Sequence, residues 1–393
     1  MTRSLRERLT SPGLQGVAEI KRRSPSAGDL RPGADAAGLA AAFERAGAAG
    51  VSVLVDPRFG GSLTDLRESR RASSLPLLAK GFFRTEAELA ELRAAGADAV
   101  LLILRDLDDS IARRMLARTR ALGLEALVEI HSRTELGRAV ALGAELIGVN
   151  ARDLRTFKID RAAQLELVQG TPRDRVVVAE SGIETRAAAA RAELAGADAV
   201  LVGSALMLAP DPAARLTDLL ARPLVKVCGL TREEDVAAAG EAGADLAGFV
   251  LAESPRRVSE PLPVPTSMLS VAIFVGEAKE VECDLVQVYS EEAGHRGPDA
   301  SLLRTGRHVA TVMDLPWGGE HDPGHWPRAA LAARKERVVL AGGLDPGNVR
   351  RAVERVRPWC LDAARGLESA PGVKDPEKVR AFVEAARCLG KTA

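Results

Sequence analysis

Two lysines and three glutamates fall where β-strands would end, and that mixture of residue types suits acid–base chemistry. Glu19 and Lys21 close the run VAEIK (17–21), Lys80 closes LPLLAK (75–80), Glu129 lies in LVEI (127–130), and Glu180-Ser181 follow RVVVA (175–179). Asn150 ends the run LIGVN (146–150). Strand alternation puts Glu19 and Lys21 on one face and turns Ile20 to the other. Carboxylates and ammonium groups that share a site shift one another's pKa, which is what a general acid or base needs near neutral pH. Small residues after the RVVVA strand and after one further strand, Ser181-Gly182 and Gly203-Ser204, let backbone N–H groups approach a phosphate. The expected substrate is a phosphorylated small molecule.

The elements that must position these residues repeat. AGAAGVSVLV (46–55), AGADAVLLIL (95–104), LGAELIGVN (142–150), AGADAVLVGSA (195–205) and AGADLAGFVL (242–251) share one form. Each ends an Ala-rich helical stretch with a glycine suited to a left-handed helix C-cap, then enters a strand rich in Val, Leu and Ile. The spacing, roughly 50 residues, is that of two βα units, and stacked βα units most often close into a barrel. Strands are expected at 17–21, 51–56, 76–80, 99–104, 125–130, 145–150, 175–181 and 199–204, enough for one (βα)8 barrel. A boundary follows near Ala221–Pro223, giving domains 1–222 and 223–393. The second domain shows seven strands, at 225–229, 246–251, 269–275, 285–289, 308–314, 338–343 and 360–366. The fold expected is therefore α/β, two tandem (βα)8 barrels, the second shortened and short of one βα unit between Val286 and Val338.

Other classes are disfavoured by composition. The 54 basic and 54 acidic residues balance, which gives a nucleic-acid or polyanion binder no electrostatic footing. Cys228, Cys283, Cys360 and Cys388 show no CxxC spacing, so zinc, redox and disulfide frameworks are poor readings. No apolar run reaches the ~18 residues of a membrane helix, and MTRSLRERLTSPG has no apolar region of a signal peptide. A cytoplasmic monomer without metal or cofactor is expected. His131, His295, His308, His321 and His325 share no ligand spacing and are read as loop residues.

The ordered phrases AEIKRRSPSAG (18–28), SVLVDPRFGGS (52–62), AKGFF (79–83), LVEIHS (127–132), GVNARDL (148–154), ESGI (180–183) and LVGSALM (201–207) resemble indole-glycerol-phosphate synthase. The resemblance implies closure of the indole ring of a carboxyphenylamino-deoxyribulose phosphate, with loss of carbon dioxide and water. It implies Lys80 as general acid on the substrate carbonyl and Lys21 as the group binding the departing carboxylate. Glu129 becomes the acid or base of the dehydration, with Glu19, Asn150 and Glu180 orienting the amine, hydroxyls and lysines. Ser181, Gly182, Gly203 and Ser204 are implied to hold the phosphate, and Ser24 and Ser26 to shape the loop above the first strand. Two departures stand out: Gly81 replaces the family's Asp after the lysine, and only 18 residues precede Glu19.

The second half opens LVKVCGLT (224–231) and resembles phosphoribosylanthranilate isomerase, as do GFVLAESPRRVS (248–259), VAIFVGE (271–277), LAGGLDPGNV (340–349) and GLESAPGVKD (366–375). That likeness implies an Amadori rearrangement with Cys228 as base and Asp314 as acid. Arg256 is implied to hold the anthranilate carboxylate, and Gly342, Gly343 and Gly366 to approach the phosphate. Asp314 precedes Gly318-Gly319 as the family's aspartate does, and belongs to either the fifth or the sixth strand. The family's QLHG phrase reads Gln287-Val288-Tyr289-Ser290, and its serine pair reads Ala364-Arg365. Two functions follow: a bifunctional enzyme of tryptophan biosynthesis, or a synthase whose second barrel is structural or partner-binding.

Overall fold

The computed structural model describes residues 3–24, 28–153, 156, 158–292, 295–316 and 322–387. The chain divides into two compact units, Met1–Leu220 and Ala221–Ala393. Among the described residues no helix is long and apolar enough to cross a membrane.

In the first unit, eight strands close a barrel: β1 (Gln15–Ile20), β4 (Gly50–Leu54), β5 (Leu77–Lys80), β6 (Ala99–Ile103), β7 (Glu125–Ile130), β8 (Leu146–Asn150), β9 (Val176–Glu180) and β10 (Ala199–Val202). A two-residue hairpin, β2 (Arg23–Ser24) with β3 (Gly28–Asp29), stands above β1. Every barrel pairing is parallel, and β10 returns to β1. All eight expected strands are present.

Helices α2 (Ala36–Arg45), α3 (Leu63–Ala72), α4 (Glu86–Ala94), α5 (Asp109–Ala121), α6 (Arg133–Ala141), α7 (Arg161–Gly170) and α8 (Arg186–Ala195) alternate with the strands, followed by α9 (Ser204–Met207) and α10 (Pro212–Leu220). Those from α2 to α8 open on Asp35, Ser62, Thr85, Asp108, Ser132, Asp160 and Thr185, whose side chains accept first-turn N–H groups. The caps fix where each helix starts after its strand and so hold the strand ends still.

Helix α1 (Leu5–Leu9) seals the other end of this barrel. Leu5 and Leu9 are fully buried against inward residues such as Val17, Leu78, Leu127 and Val178. Glu125, the first residue of β7, accepts from the N–H groups of Leu5 at 2.7 Å and Arg6 at 3.0 Å. A carboxylate at a helix N-terminus is favourable. The N-terminal segment thus packs at the floor, away from the strand ends that carry the lysines.

In the second unit the barrel order is β11 (Leu224–Cys228), β12 (Leu246–Val250), β13 (Leu269–Val275), β14 (Leu285–Glu292), β15 (His295–Arg304), β16 (Arg307–Met313), β17 (Val338–Leu340) and β18 (Cys360–Ala363), closing on β11. The strand count is eight, not the expected seven. The strand not foreseen is β15, which runs antiparallel to both neighbours. A two-residue turn joins it to β16, with φ of 47° at Thr305 and 76° at Gly306, the left-handed pair of a tight hairpin. The shortening lies where expected, because a meander replaces the βα crossovers between β14 and β16. Helices here are α11 (Glu233–Glu241), α12 (His325–Ala332), α13 (Val349–Val356) and α14 (Pro376–Arg387) among the described residues. A hairpin, β19 (Glu368–Ala370) with β20 (Val373–Lys374), follows β18.

Candidate active sites

At the C-terminal mouth of the first barrel, Glu19, Lys21, Lys80, Glu129 and Asn150 line one cavity of about 520 Å³. Lys21 Nζ lies 2.7 Å from Glu19, as their shared face requires. Lys80 Nζ bridges Glu19 at 3.2 Å and Glu180 at 2.6 Å. Burial opposes charge on Glu19, but Lys21 and Lys80 prevail and hold its carboxyl down at about 2. Burial also opposes charge on Lys80, and Glu180, Glu19 and Glu129 override it, keeping the ammonium protonated far above its ordinary range. Glu180 goes the other way: burial outweighs Lys80, and the carboxyl is pushed up to about 7. The cluster therefore holds an acid that stays charged and a carboxyl poised near neutrality.

Two glycines make room for it. A Cβ on Gly148 would fall 2.1 Å from Glu180 Oε1, and one on Gly203 would fall 2.1 Å from Glu19 Oε2. Ser24, Ser181, Gly182, Gly203 and Ser204 line the same cavity, while Ser26 lies outside the described residues. Backbone φ is 70° at Ser181 and 66° at Gly182. For a serine that conformation costs roughly 1–3 kcal/mol and is typical of functional turns. Gly81 accommodates an aromatic ring, since a Cβ there would lie 2.7 Å from Phe83.

Several lining residues were not singled out in the sequence: Arg23, Arg58, Phe59, Phe82, Arg105 and Arg152. Arg152 sits two positions past Asn150, so the alternation that joined Glu19 to Lys21 could have found it. Phe59 and Phe82 stack with centroids 6.2 Å apart, and Arg58 lies 4.4 Å above Phe82. Arg58 and Phe59 sit in a single 3-10 turn, Pro57–Phe59, and Phe82 in a loop, segments too short for any periodicity to announce them. The reading of the histidines as loop residues holds for His131, which follows β7, and needs correction at His295, His308 and His325. His131 is tucked beside Glu129, His325 begins α12 with Nε2 2.9 Å from the Ala341 carbonyl, and His295 and His308 lie in β15 and β16. His321 falls outside the described residues.

At the second mouth, Cys228 ends β11, and Asp314 follows β16, the sixth barrel strand. Gly318 and Gly319 lie outside the described residues. Burial, with Asp362 adding to it, pushes the Cys228 thiol up to about 11 against the pull of Lys226 and Lys374. Lys226 is buried and bonded to Asp362 at 2.8 Å and Gln287 at 2.6 Å. Asp314 accepts from the Tyr289 hydroxyl at 2.9 Å and pairs with Arg296 at 3.0 Å. Burial raises its carboxyl, with Arg296 opposing.

Arg256 sits over Gly229, where a Cβ would fall 2.6 Å from its Cδ. Its Nε and Nη2 both donate to Glu368 at 2.7 Å. Lys374 joins the same carboxylate at 2.9 Å. Gly342 and Gly343 have φ of 86° and 67°, and a Cβ on Gly366 would strike the Leu344 carbonyl at 2.2 Å. Gly366 brings the loops after β17 and β18 together, while Gly342 and Gly343 let the loop after β17 pack against Asp314 and Leu315 after β16. Among the described residues no group of three His, Cys, Asp or Glu side chains could hold a metal.

Closed barrels with acid–base side chains gathered at the strand C-termini define a tandem-barrel protein of the enzyme class. Sequence comparison narrows this. The profile described as indole-3-glycerol phosphate synthase matches residues 1–219, and that described as N-(5'phosphoribosyl)anthranilate (PRA) isomerase matches residues 298–385. The chain belongs to the indole-3-glycerol phosphate synthase family. An indole-3-glycerol phosphate synthase of Mycobacterium ulcerans is 47% identical over 54% of this chain and 78% of its own length. A multifunctional tryptophan biosynthesis protein of Phycomyces blakesleeanus is 32% identical over 97% of this chain; the chain spans 63% of that relative. The phosphoribosyl anthranilate isomerase of Thermus thermophilus is 30% identical over 42% of this chain and 100% of its own, with a TM-score of 0.35.

Proposed function

We propose that the chain carries out two steps of tryptophan biosynthesis. Residues 1–222 convert 1-(2-carboxyphenylamino)-1-deoxyribulose 5-phosphate to indole-3-glycerol phosphate, and residues 223–393 supply that substrate by Amadori isomerisation of N-(5-phosphoribosyl)anthranilate. The reading rests above all on Lys80, a buried ammonium held between Glu19 and Glu180 at the cavity mouth. It protonates the ribulose carbonyl oxygen as the aromatic carbon attacks, while Lys21 holds the carboxylate that leaves as carbon dioxide. Glu129 serves the dehydration; Glu19, Asn150 and Glu180 orient the amine, hydroxyls and lysines. Ser181, Gly182, Gly203 and Ser204 receive the phosphate, and Ser24 shapes the loop above β1.

In the isomerase half, Cys228 takes the proton and Asp314 delivers one. Arg256 shares two donors with Glu368, and its Nη1 is the edge for the anthranilate carboxylate. Gly342, Gly343 and Gly366 let the backbone approach the phosphate. The protein acts as a cytoplasmic monomer on phosphorylated small molecules, without cofactor, nucleic acid or membrane.

The test is to supply the purified chain with phosphoribosylanthranilate and follow its fluorescence, the carboxyphenylamino intermediate and the indole product. Indole-glycerol phosphate above the non-enzymatic background is expected. Intact substrate with folded protein, and turnover only when the intermediate is supplied, would leave a monofunctional synthase.

A further inference from the structure

Glu129 lies in β7 and His131 just beyond its end, so alternation turns both toward the mouth. His131 Nε2 is 3.3 Å from Glu129 Oε1, and its Nδ1 is 3.4 Å from Glu135 Oε2. The outer carboxylate is firmly held. Glu135 accepts the His131 backbone N–H at 2.7 Å, and its own N–H donates to the α6 cap Ser132 at 3.2 Å, a reciprocal lock on the first turn. The inner carboxylate is buried beside Asn150, and neither it nor the His131 ring nitrogens make an aligned hydrogen bond among the described residues, so the imidazole acts on it as a close charge. One imidazole thus stands between a fixed carboxylate and the one assigned to the dehydration.

We propose that His131, braced by Glu135, is a positioning residue of the ring-closure site that holds the Glu129 carboxylate in place and in its charged form. The proposal rests on the ring-closure reading above. The other charges around Glu129 are Lys80 from β5 and Glu180 from β9, with Arg105 and Arg152 lining the same cavity. Lys80 is already shared with Glu19 and Glu180. Burial opposes ionisation of Glu129, and His131, ahead of Lys80, holds its carboxyl below the usual value. Burial likewise opposes charge on His131, and its two glutamate neighbours raise the imidazole to about 9. The cation is therefore present throughout the neutral range.

The experiment uses the full chain and the variants His131→Asn, His131→Lys and Glu135→Gln, with kcat and KM for ring closure measured against pH. His131→Asn should lower kcat about tenfold near pH 7, leave KM within about twofold, and move the acid limb of kcat up by about one unit. His131→Lys should restore the limb, and Glu135→Gln should give an intermediate shift. A His131→Asn enzyme with the wild-type limb and kcat overturns the proposal. If the wild-type chain shows no ring closure, the functional reading fails, and NMR titration of ¹³C-labelled histidine decides the ion pair itself. The resonance lost in His131→Asn should titrate well above 6.5 and fall in Glu129→Gln. Unchanged titration in Glu129→Gln overturns the pairing whatever the turnover.

Discussion

Gly148 shows how a residue without a side chain can set a catalytic geometry. Glu180 Oε1 occupies the space a Cβ would need, so alanine at 148 must shift the carboxylate whose other oxygen, Oε2, holds Lys80. A misplacement of about 1 Å can cost on the order of 100-fold in rate. Gly148→Ala is therefore expected to lower kcat for ring closure by at least about tenfold with a folded barrel, as checked by circular dichroism alongside kinetics. His131 makes a second prediction, on stability. Its folded pKa, about 9, is raised above the ordinary 6.5, so its contribution is complete below pH 6.5 and is lost as pH rises through 9. At ~1.4 kcal/mol per unit, the wild type should exceed His131→Asn by on the order of 3 kcal/mol at pH 6 and converge with it near pH 10. Denaturant unfolding of the first unit at both pH values checks this, and a gap independent of pH would argue against it. Alternation along one strand brought Glu19 and Lys21 together before any coordinates. The same rule applied to 129 and 131 sets His131 beside Glu129, a pairing that ligand spacing among the histidines does not reveal.

At the scale of elements, the first barrel was legible because β4, β6, β8 and β10, every second strand, are largely apolar runs entered from a helix that ends on a glycine of positive φ. The second was not, at one strand. His295–Arg304 reads HRGPDASLLR, with a proline, a glycine and two charges before its apolar residues, and its turn is Thr-Gly rather than Asn-Gly. Tertiary pairing on both sides makes it a strand where local pattern does not. Reversal has a chemical consequence. An inverted strand brings its N-terminal end to the mouth, and that end carries Arg296, which pairs with Asp314 and covers the Tyr289 ring at 4.7 Å. Arg296 opposes the burial that raises Asp314, so Arg296→Met should raise that carboxyl further. With burial pushing the Cys228 thiol up to about 11, the proposed roles assign the lower limb of the isomerase kcat/KM profile to Asp314. That limb should move to higher pH in Arg296→Met; an unmoved limb would mean Asp314 is not the acid.

For the whole molecule, the repeated glycine-to-strand phrase runs through both units, yet each unit closes its own barrel around its own apolar core. The ion pairs that tune the two mouths each join residues of one unit: Glu19, Lys21, Lys80 and Glu180 in the first, Lys226, Asp362, Arg296 and Asp314 in the second. Substitutions that share no partners add independently. Lys80→Ala should therefore lose on the order of 100- to 10,000-fold in ring closure while isomerising at the wild-type rate, accumulating the carboxyphenylamino intermediate. Cys228→Ala should lose isomerisation to a similar extent and still close the ring when that intermediate is supplied. An equimolar mixture of the two variants should then carry phosphoribosylanthranilate through to indole-glycerol phosphate after a lag, during which the free intermediate builds up in solution. A mixture that yields no product, although each variant performs its remaining step, would mean that the intermediate must pass between two sites of the same chain.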